Sequence, residues 1–318
     1  MKYYSIIIPV YNASRYIGKC IESIQAQTNP NWRLIVVDDG SVDDSLKICK
    51  QYSEIDNRII VLHQENKGPG LARNYGLENA KGDYVVFVDA DDYLSEDYLA
   101  SIDSHDEDVV FFNLQNVTPE GVLKTIDKMS INGSLTKEQF IRQQMTGKIT
   151  WGGVRKCVKT CILKDNGICF SSHKIGEEAI YSFMVLYYAN TIAYVDKAIY
   201  MRVLRDDSQS HLPVMDPWGD VALALKKKIT ELGVFPEYAN TINAFILTAT
   251  IRHASRLAKN YSYPEFIEKL KDCILYFNTN RDHNYPIDFC SMDKRIRILS
   301  FLVLNRLYLI FWFIIKIR

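Results

Sequence analysis

What most constrains this chain is an alternation between Tyr4 and Asp92. Four short apolar runs read as strands: Tyr4-Ser5-Ile6-Ile7-Ile8-Pro9, Trp32-Arg33-Leu34-Ile35-Val36-Val37, Arg58 to His63, and Tyr84 to Val88. The stretches between them carry apolar residues at helical spacing. Tyr16, Ile17, Cys20, Ile21 and Ile24 form one set, Leu46, Cys49 and Tyr52 a second, and Leu71 to Leu77 lies within a third stretch. Strand and helix in regular alternation imply parallel βαβ units, hence an α/β fold. The run Tyr84 to Val88 is continuously apolar, as expected of a strand buried on both faces.

The chemistry sits where these runs stop. Val37 is followed by Asp38-Asp39-Gly40-Ser41, and Val88 by Asp89-Ala90-Asp91-Asp92. Asp89 and Asp91 are two apart and share a face of an extended backbone. Carboxylates at the carboxyl ends of core strands lie where open α/β sheets bind ligands. Such oxygens suit a divalent cation that also holds a phosphate; the same residues read equally well as an acidic turn opening a helix at Ser95. Gly68-Pro69-Gly70 would offer backbone N–H groups at a helix start to anionic oxygens. Arg73, one turn in, either adds a charge-assisted contact or is a solvated helix arginine. Asn12-Ala13-Ser14 and Ser41 are the expected caps of the first two helices. No GxGxxG follows the first strand and no GxxxxGK[ST] occurs, so the dinucleotide fingerprint and the phosphate loop are both excluded.

Thirty-eight basic and thirty-eight acidic side chains cancel, so nothing global suggests nucleic acid. Their placement is uneven. Ten acids and no Lys or Arg lie between Asp83 and Asp108, and six bases and no acid between Lys294 and Arg318. Seven scattered cysteines include no CxxC, and Cys157-x3-Cys161 lacks histidines at zinc spacing. They read as buried or idle thiols in a reducing cytosol. The N-terminal apolar run leads straight into Pro9, too short for a signal peptide, so a protein that is not secreted is expected.

The order of the motifs carries a resemblance. Pro9-Val10-Tyr11-Asn12, Val37-Asp38-Asp39-Gly40-Ser41, Asn66-Lys67-Gly68 with Ala72-Arg73-Asn74-Tyr75-Gly76, and Asp89-Ala90-Asp91-Asp92 resemble the family 2 glycosyltransferases over roughly Tyr4 to Leu99. The resemblance implies the GT-A fold, a mostly parallel twisted sheet flanked by helices. It also implies inverting transfer from a nucleotide-diphosphate sugar, a UDP-sugar favoured, with Mg or Mn as divalent cation. It would assign the base to Asp39, the ribose to Asp89 and the metal to Asp91. Pro9, Tyr11, Gly68, Arg73, Ala90 and Arg202 would complete the donor site. In Gly176-Glu177-Glu178-Ala179, Glu178 falls where the family has its catalytic base, usually an Asp. Without the resemblance, two acids in a first helical turn simply suit the macrodipole. The Trp151-Gly152-Gly153-Val154-Arg155 stretch departs from the family's Trp, Lys and Tyr, and Arg202, Arg205, Ser208, Ser210 and His211 match its Arg- and Ser-bearing loop.

Pro213 and Pro217 mark an expected boundary: a GT-A domain over 1–213 and a helical C-terminal region over 214–318. Helices are expected over Val221 to Leu232, Tyr238 to Lys259, Pro264 to Phe277 and from Asp293 on. Ile242, Phe245, Ile246, Ala249 and His253 form a core-like stripe. Residues 296–316 are nearly apolar all round until Asn305-Arg306 interrupts them. An in-plane or re-entrant helix with its bases on phosphate head groups is expected; a single span or a helix buried in an interface are the alternatives. That tail suggests a glycan acceptor linked to lipid, with the protein cytoplasmic and peripheral on the inner face of the cell membrane, in surface polysaccharide assembly. Two rival readings remain. A sugar nucleotidyltransferase would need a Gly- and Lys/Arg-rich loop after the first strand, where Tyr11-Asn12-Ala13-Ser14-Arg15 stands. A membrane-bound module could bind a nucleotide sugar without turnover.

Overall fold

The computed structural model describes residues 2–129, 136–171, 177–205 and 218–317. The boundary expected at 213/214, together with Gly176, Ser208, Ser210 and His211, lies outside them. The chain forms two compact units, residues 1–130 with 152–212, and residues 131–151 with 213–318.

In the first unit the four expected runs are strands: β1 (Tyr4–Val10), β2 (Trp32–Asp39), β3 (Ile59–Gln64) and β4 (Tyr84–Phe87). Helices α1 (Ile17–Gln25), α2 (Ser45–Ile55) and α3 (Pro69–Glu78) connect them. β1 pairs in parallel with β2 on one side and β4 on the other, and β2 pairs in parallel with β3. The strand order therefore reverses at β1, a topological switch point. Beyond β4 the sheet continues with β5 (Tyr93–Leu94), β6 (Val109–Val117), β7 (Leu123–Asp127), β8 (Lys156–Lys159) and β9 (Ile192–Val203). Among the described residues the order is β3-β2-β1-β4-β8-β6-β9-β5, with β7 on β6. β8 runs antiparallel to both neighbours, whereas β6 and β9 are parallel. A turn at Pro119-Glu120-Gly121 joins the antiparallel β6–β7 pair. Short α4 (Tyr98–Asp103) and α6 (Thr160–Asp165), and α7 (Glu177–Tyr188), complete this unit.

Continuous burial of the central strands explains their composition. Ile6, Ile7 and Ile8, then Leu34 to Val37, and Val85 to Val88 are all buried. Each such side chain contributes roughly 1.5–3 kcal/mol relative to its exposed state. Close packing of α3 on this sheet requires Gly76. A Cβ there would collide with Ile7 Cγ2 and lie 3.3 Å from Val37 Cγ2.

Two expected caps are corrected. α1 starts at Ile17 and α2 at Ser45, neither with a side-chain cap. Asn12 takes a positive φ of 50° and accepts from Val42 N at 2.9 Å, while Ser41 Oγ accepts from Asn12 N at 3.1 Å. These residues join two loops instead of opening helices. Asp43 gathers the neighbouring N–H groups, accepting from Ser14 N and Ser45 N. The helix expected at Ser95 begins as α4 at Tyr98.

In the second unit, α5 (Lys137–Met145) is capped by Thr136, completed as a capping box by Gln139. The other helices are α8 (Trp218–Glu231), α9 (Phe235–Asn260), α10 (Tyr263–Asn280), α11 (Lys294–Leu304) and α12 (Tyr308–Lys316). α9 is the axis against which the rest pack. Ile242, Phe245, Ile246 and Ala249 are buried as expected, while His253 is half-buried and Ala254 takes the core position. The apolar tail is two helices, broken where Arg306 adopts a φ of 59°. Among the described residues no helix is long and apolar enough to cross a membrane.

Candidate active site

A cleft of about 730 Å³ opens at the carboxyl ends of β1, β2 and β4. It collects Pro9, Tyr11, Asp39, Gly68, Arg73, Asp89, Ala90 and Asp91 from four separate stretches of chain, with Asn12, Lys67, Ser171 and Arg205. All eight line this one cleft, and the switch point explains how strand ends far apart in sequence meet.

Asp39 ends β2 and is 2% exposed. One carboxylate oxygen accepts from Gln64 Nε2 at 2.7 Å and Lys67 N at 2.9 Å, the other from Gly68 N at 2.8 Å. The same carboxylate that faces the cleft therefore shapes the turn into α3. Gly68 caps that helix and Pro69 opens it, leaving the helix start directed at the cleft as an anion site.

Arg73 is buried and donates from Nη2 to Asp89 Oδ1 at 2.7 Å, its guanidinium 5.2 Å from the Phe170 ring centroid. Phe170 is fixed to α3 by a reciprocal pair with Asn74: Phe170 N donates to Asn74 Oδ1 at 2.8 Å, and Asn74 Nδ2 donates to Phe170 O at 2.9 Å. Tyr181 of α7 stacks on Phe170 at 4.1 Å.

The three aspartates after β4 separate by environment. Asp89 pairs with Arg73 and Asp91 with Arg205. Asp92 turns inward, accepting from Tyr200 OH and Val203 N, both at 2.8 Å. Burial, then the neighbouring Asp89 and Asp91, push its carboxyl well above the usual carboxylate range. Asp92 thus anchors the end of β9, from which Arg205 extends. Tyr200 also receives a hydrogen bond from Asp89 N at 3.1 Å, tying the acidic turn to the same strand.

Arg202 does not line this cleft. It donates to Asn116 Oδ1 at 2.8 Å and pairs with Asp127, which Arg155 also contacts. An odd offset puts residues on opposite faces of an extended segment, and Arg205 takes the cleft position instead. Glu178 stands in the first turn of α7, half-buried, its Oε2 accepting from Gly153 N at 2.9 Å. It does not line the cleft; Tyr181, one turn along the same helix, stacks on Phe170.

Among the described residues no three His, Cys, Asp or Glu could hold a metal ion by themselves. The cleft suits a cation that arrives with phosphates. Mg²⁺ and Mn²⁺ sites of that kind use one or two protein carboxylates, with phosphate oxygens and water completing the shell. Asp91, at the cleft wall and paired with Arg205, would be the one protein carboxylate of such a shell.

Residues 5–161 match the family described as "Glycosyl transferase family 2". The chain is 32% identical over 65% of its length to glycosyltransferase GlyA of Streptococcus pneumoniae serotype 4. It is 30% identical over 68% of its length to the poly(ribitol-phosphate) beta-N-acetylglucosaminyltransferase TarS of Staphylococcus aureus. It spans only 31% and 38% of those two proteins' lengths. A crystal structure of S. aureus TarS 1-349 in complex with UDP-GlcNAc superposes with a TM-score of 0.58 at 23% identity, covering 88% of this chain and 93% of that one. At that identity the likeness establishes the GT-A fold.

Proposed function

Because this chain belongs to glycosyltransferase family 2 through residues 5–161, we propose that it is an inverting enzyme moving a sugar from a nucleoside diphosphate to a hydroxyl of a saccharide acceptor. The observation that carries this reading is the convergence of Asp39, Arg73, Asp89 and Asp91 on one cleft at the sheet's switch point. Asp39 reads the base, and Asp89 approaches the ribose with Arg73 holding it in place. The start of α3 and Arg205 face the diphosphate. Asp91 would hold a divalent cation, which when bound stabilises charge on the departing diphosphate. A UDP-sugar is the favoured donor, in keeping with the UDP-GlcNAc complex of the TarS neighbour.

Glu178 is the base. Its Oε2 is engaged by Gly153 N–H, which leaves Oε1 to take the acceptor's proton as the hydroxyl oxygen attacks the anomeric carbon from the face opposite the leaving group. The bond to the donor phosphate oxygen breaks as the new glycosidic bond forms, and nucleoside diphosphate leaves.

The acceptor is a saccharide linked to lipid at the cytoplasmic membrane face, in surface polysaccharide assembly. Ile310, Phe313 and Ile314 on α12 and Ile317 at its C-cap lie at helical spacing and are all exposed, as are Ile298, Phe301 and Leu304 on α11. Lys294, Arg295, Arg297, Arg306 and Lys316 accompany them without an acid. An apolar face bordered by bases suits an interface rich in anionic lipid.

Product analysis with UDP-GlcNAc and Mn²⁺ tests the chemistry. UDP release is expected, Asp91→Asn abolishes it in a folded protein, and Glu178→Gln keeps donor binding while losing transfer. Pyrophosphate release, or full activity of Asp91→Asn, would defeat the assignment. Sedimentation with phosphatidylglycerol vesicles tests the tail: binding should be lost in Phe313→Asp/Ile314→Asp, and equal binding to neutral vesicles would argue against the basic residues.

A further inference from the structure

Behind Glu178 stands a lysine with no part in the steps above. Lys156 opens β8 and is 1% exposed. An amine carried that deep must be hydrogen-bonded. Its Nζ donates to the Gly152 carbonyl at 2.8 Å and to Ser182 Oγ at 2.7 Å, and lies 5.4 Å from the Tyr181 ring centroid. Ser182 is one helical turn along α7 from Glu178.

The Gly152 carbonyl is one half of a peptide group whose other half is Gly153 N–H. That N–H donates to Glu178 Oε2. One planar amide therefore has the lysine on its oxygen and the carboxylate on its hydrogen. Resonance couples the two ends of an amide, and a donor on the oxygen strengthens the N–H as a donor in turn. The backbone is shaped for this. Gly152 takes a φ of 44°, and a Cβ on Gly153 would lie 3.0 Å from Glu178 Oε1, so the carboxyl is seated against the peptide itself.

We propose that Lys156, itself held by Ser182, is a positioning residue that acts through the Gly152–Gly153 peptide to fix Glu178. The inference rests on reading Glu178 as the base. The titratable groups that act on Lys156 are Glu178 on α7 and Arg155 ahead of β8. Burial lowers its ammonium to about 7, with Glu178 opposing the fall and Arg155 adding to it. The group on the oxygen side of the amide therefore loses its charge within the neutral range.

The test is a carbon-13 NMR titration of the full chain labelled at glutamate carboxyls, with the Glu178 signal assigned by its absence in Glu178→Gln. A second inflection is expected in wild type between about pH 6 and 8, around the lowered Lys156 value, because interacting groups titrate together. Lys156→Met should remove it and lower the acid dissociation constant of Glu178 by about threefold or more, since a nearby cation favours the carboxylate. Identical Glu178 titrations in the two proteins would overturn the inference. If Lys156→Met does not fold, a wild-type Glu178 signal without the second inflection overturns it equally. The base reading has its own arm: UDP release undiminished in Glu178→Gln refutes that reading whatever the titration shows.

Discussion

Replacing Asp39 by Asn separates two roles that the geometry gives to one carboxylate. The side chain accepts three hydrogen bonds, two on one oxygen and one on the other. In the Asp39→Asn variant the amide NH₂ must face either Gly68 N–H alone or the pair from Gln64 and Lys67, and the single clash is cheaper. One charge-assisted hydrogen bond, about 1.5–3 kcal/mol, is then lost, and the other two fall toward the neutral value of about 1 kcal/mol each. The sum is about 5 kcal/mol, or a fall of roughly 10–20 °C in Tm for a unit of this size. Calorimetry with and without UDP-GlcNAc and Mn²⁺ reads both roles. The expected result is a lower Tm without ligand and a smaller ligand-induced rise, because the turn opening α3 and the base contact fail together. A variant that melts with wild type would refute the claim that Asp39 shapes this turn.

Gly76→Ala should cost about 1–2 kcal/mol in urea unfolding, since overpacking against Ile7 and Val37 outweighs the helix propensity gained; wild-type stability would mean that α3 can lift from the sheet without loss. Tyr200→Phe removes a donor to Asp92 and an acceptor for Asp89 N, so a loss of about 1–3 kcal/mol with weaker donor binding is expected, and unchanged binding by calorimetry would uncouple β9 from the acidic turn. The folded pKa of Lys156, lowered by burial to about 7, lies below its ordinary 10.5. The unfolded chain then binds more protons between those values, so stability should rise with pH across that window. Unfolding of Lys156→Met should lack that rise, and parallel profiles for the two proteins would show that the lysine is not buried as described.

The strand–helix order was legible because burial on both faces demands continuous apolar runs, and Ile6 to Ile8 or Leu34 to Val37 announce that locally. The acidic cluster was legible for the same reason: the apolar run stops at Val88 and three carboxylates follow within four residues. What stayed hidden depends on partners distant in sequence. Arg202 and Arg205 have the same chemistry on the same segment, and only Asn116 and Asp127 on neighbouring strands show which one turns away from the cleft. Ser41 and Asn12 have good capping chemistry, but each finds the other's loop before a helix end. Asp92 gains a task only when Tyr200 and Val203 arrive beside it. Trp151 to Arg155 departs from the family pattern, yet the Gly152–Gly153 peptide that touches Glu178 lies within that departure.

The break at Arg306 also fixes a topology. α11 has 11 residues and α12 has 9, so each rises about 13–17 Å, half of a hydrocarbon core about 30 Å thick. Neither can match a bilayer alone. Leucines at 305 and 306 would leave residues 298–315 uncharged between Arg297 and Lys316, a run at the ~18-residue threshold for a spanning helix. Two side chains thus separate a pair of short helices from one uncharged run long enough to cross a bilayer.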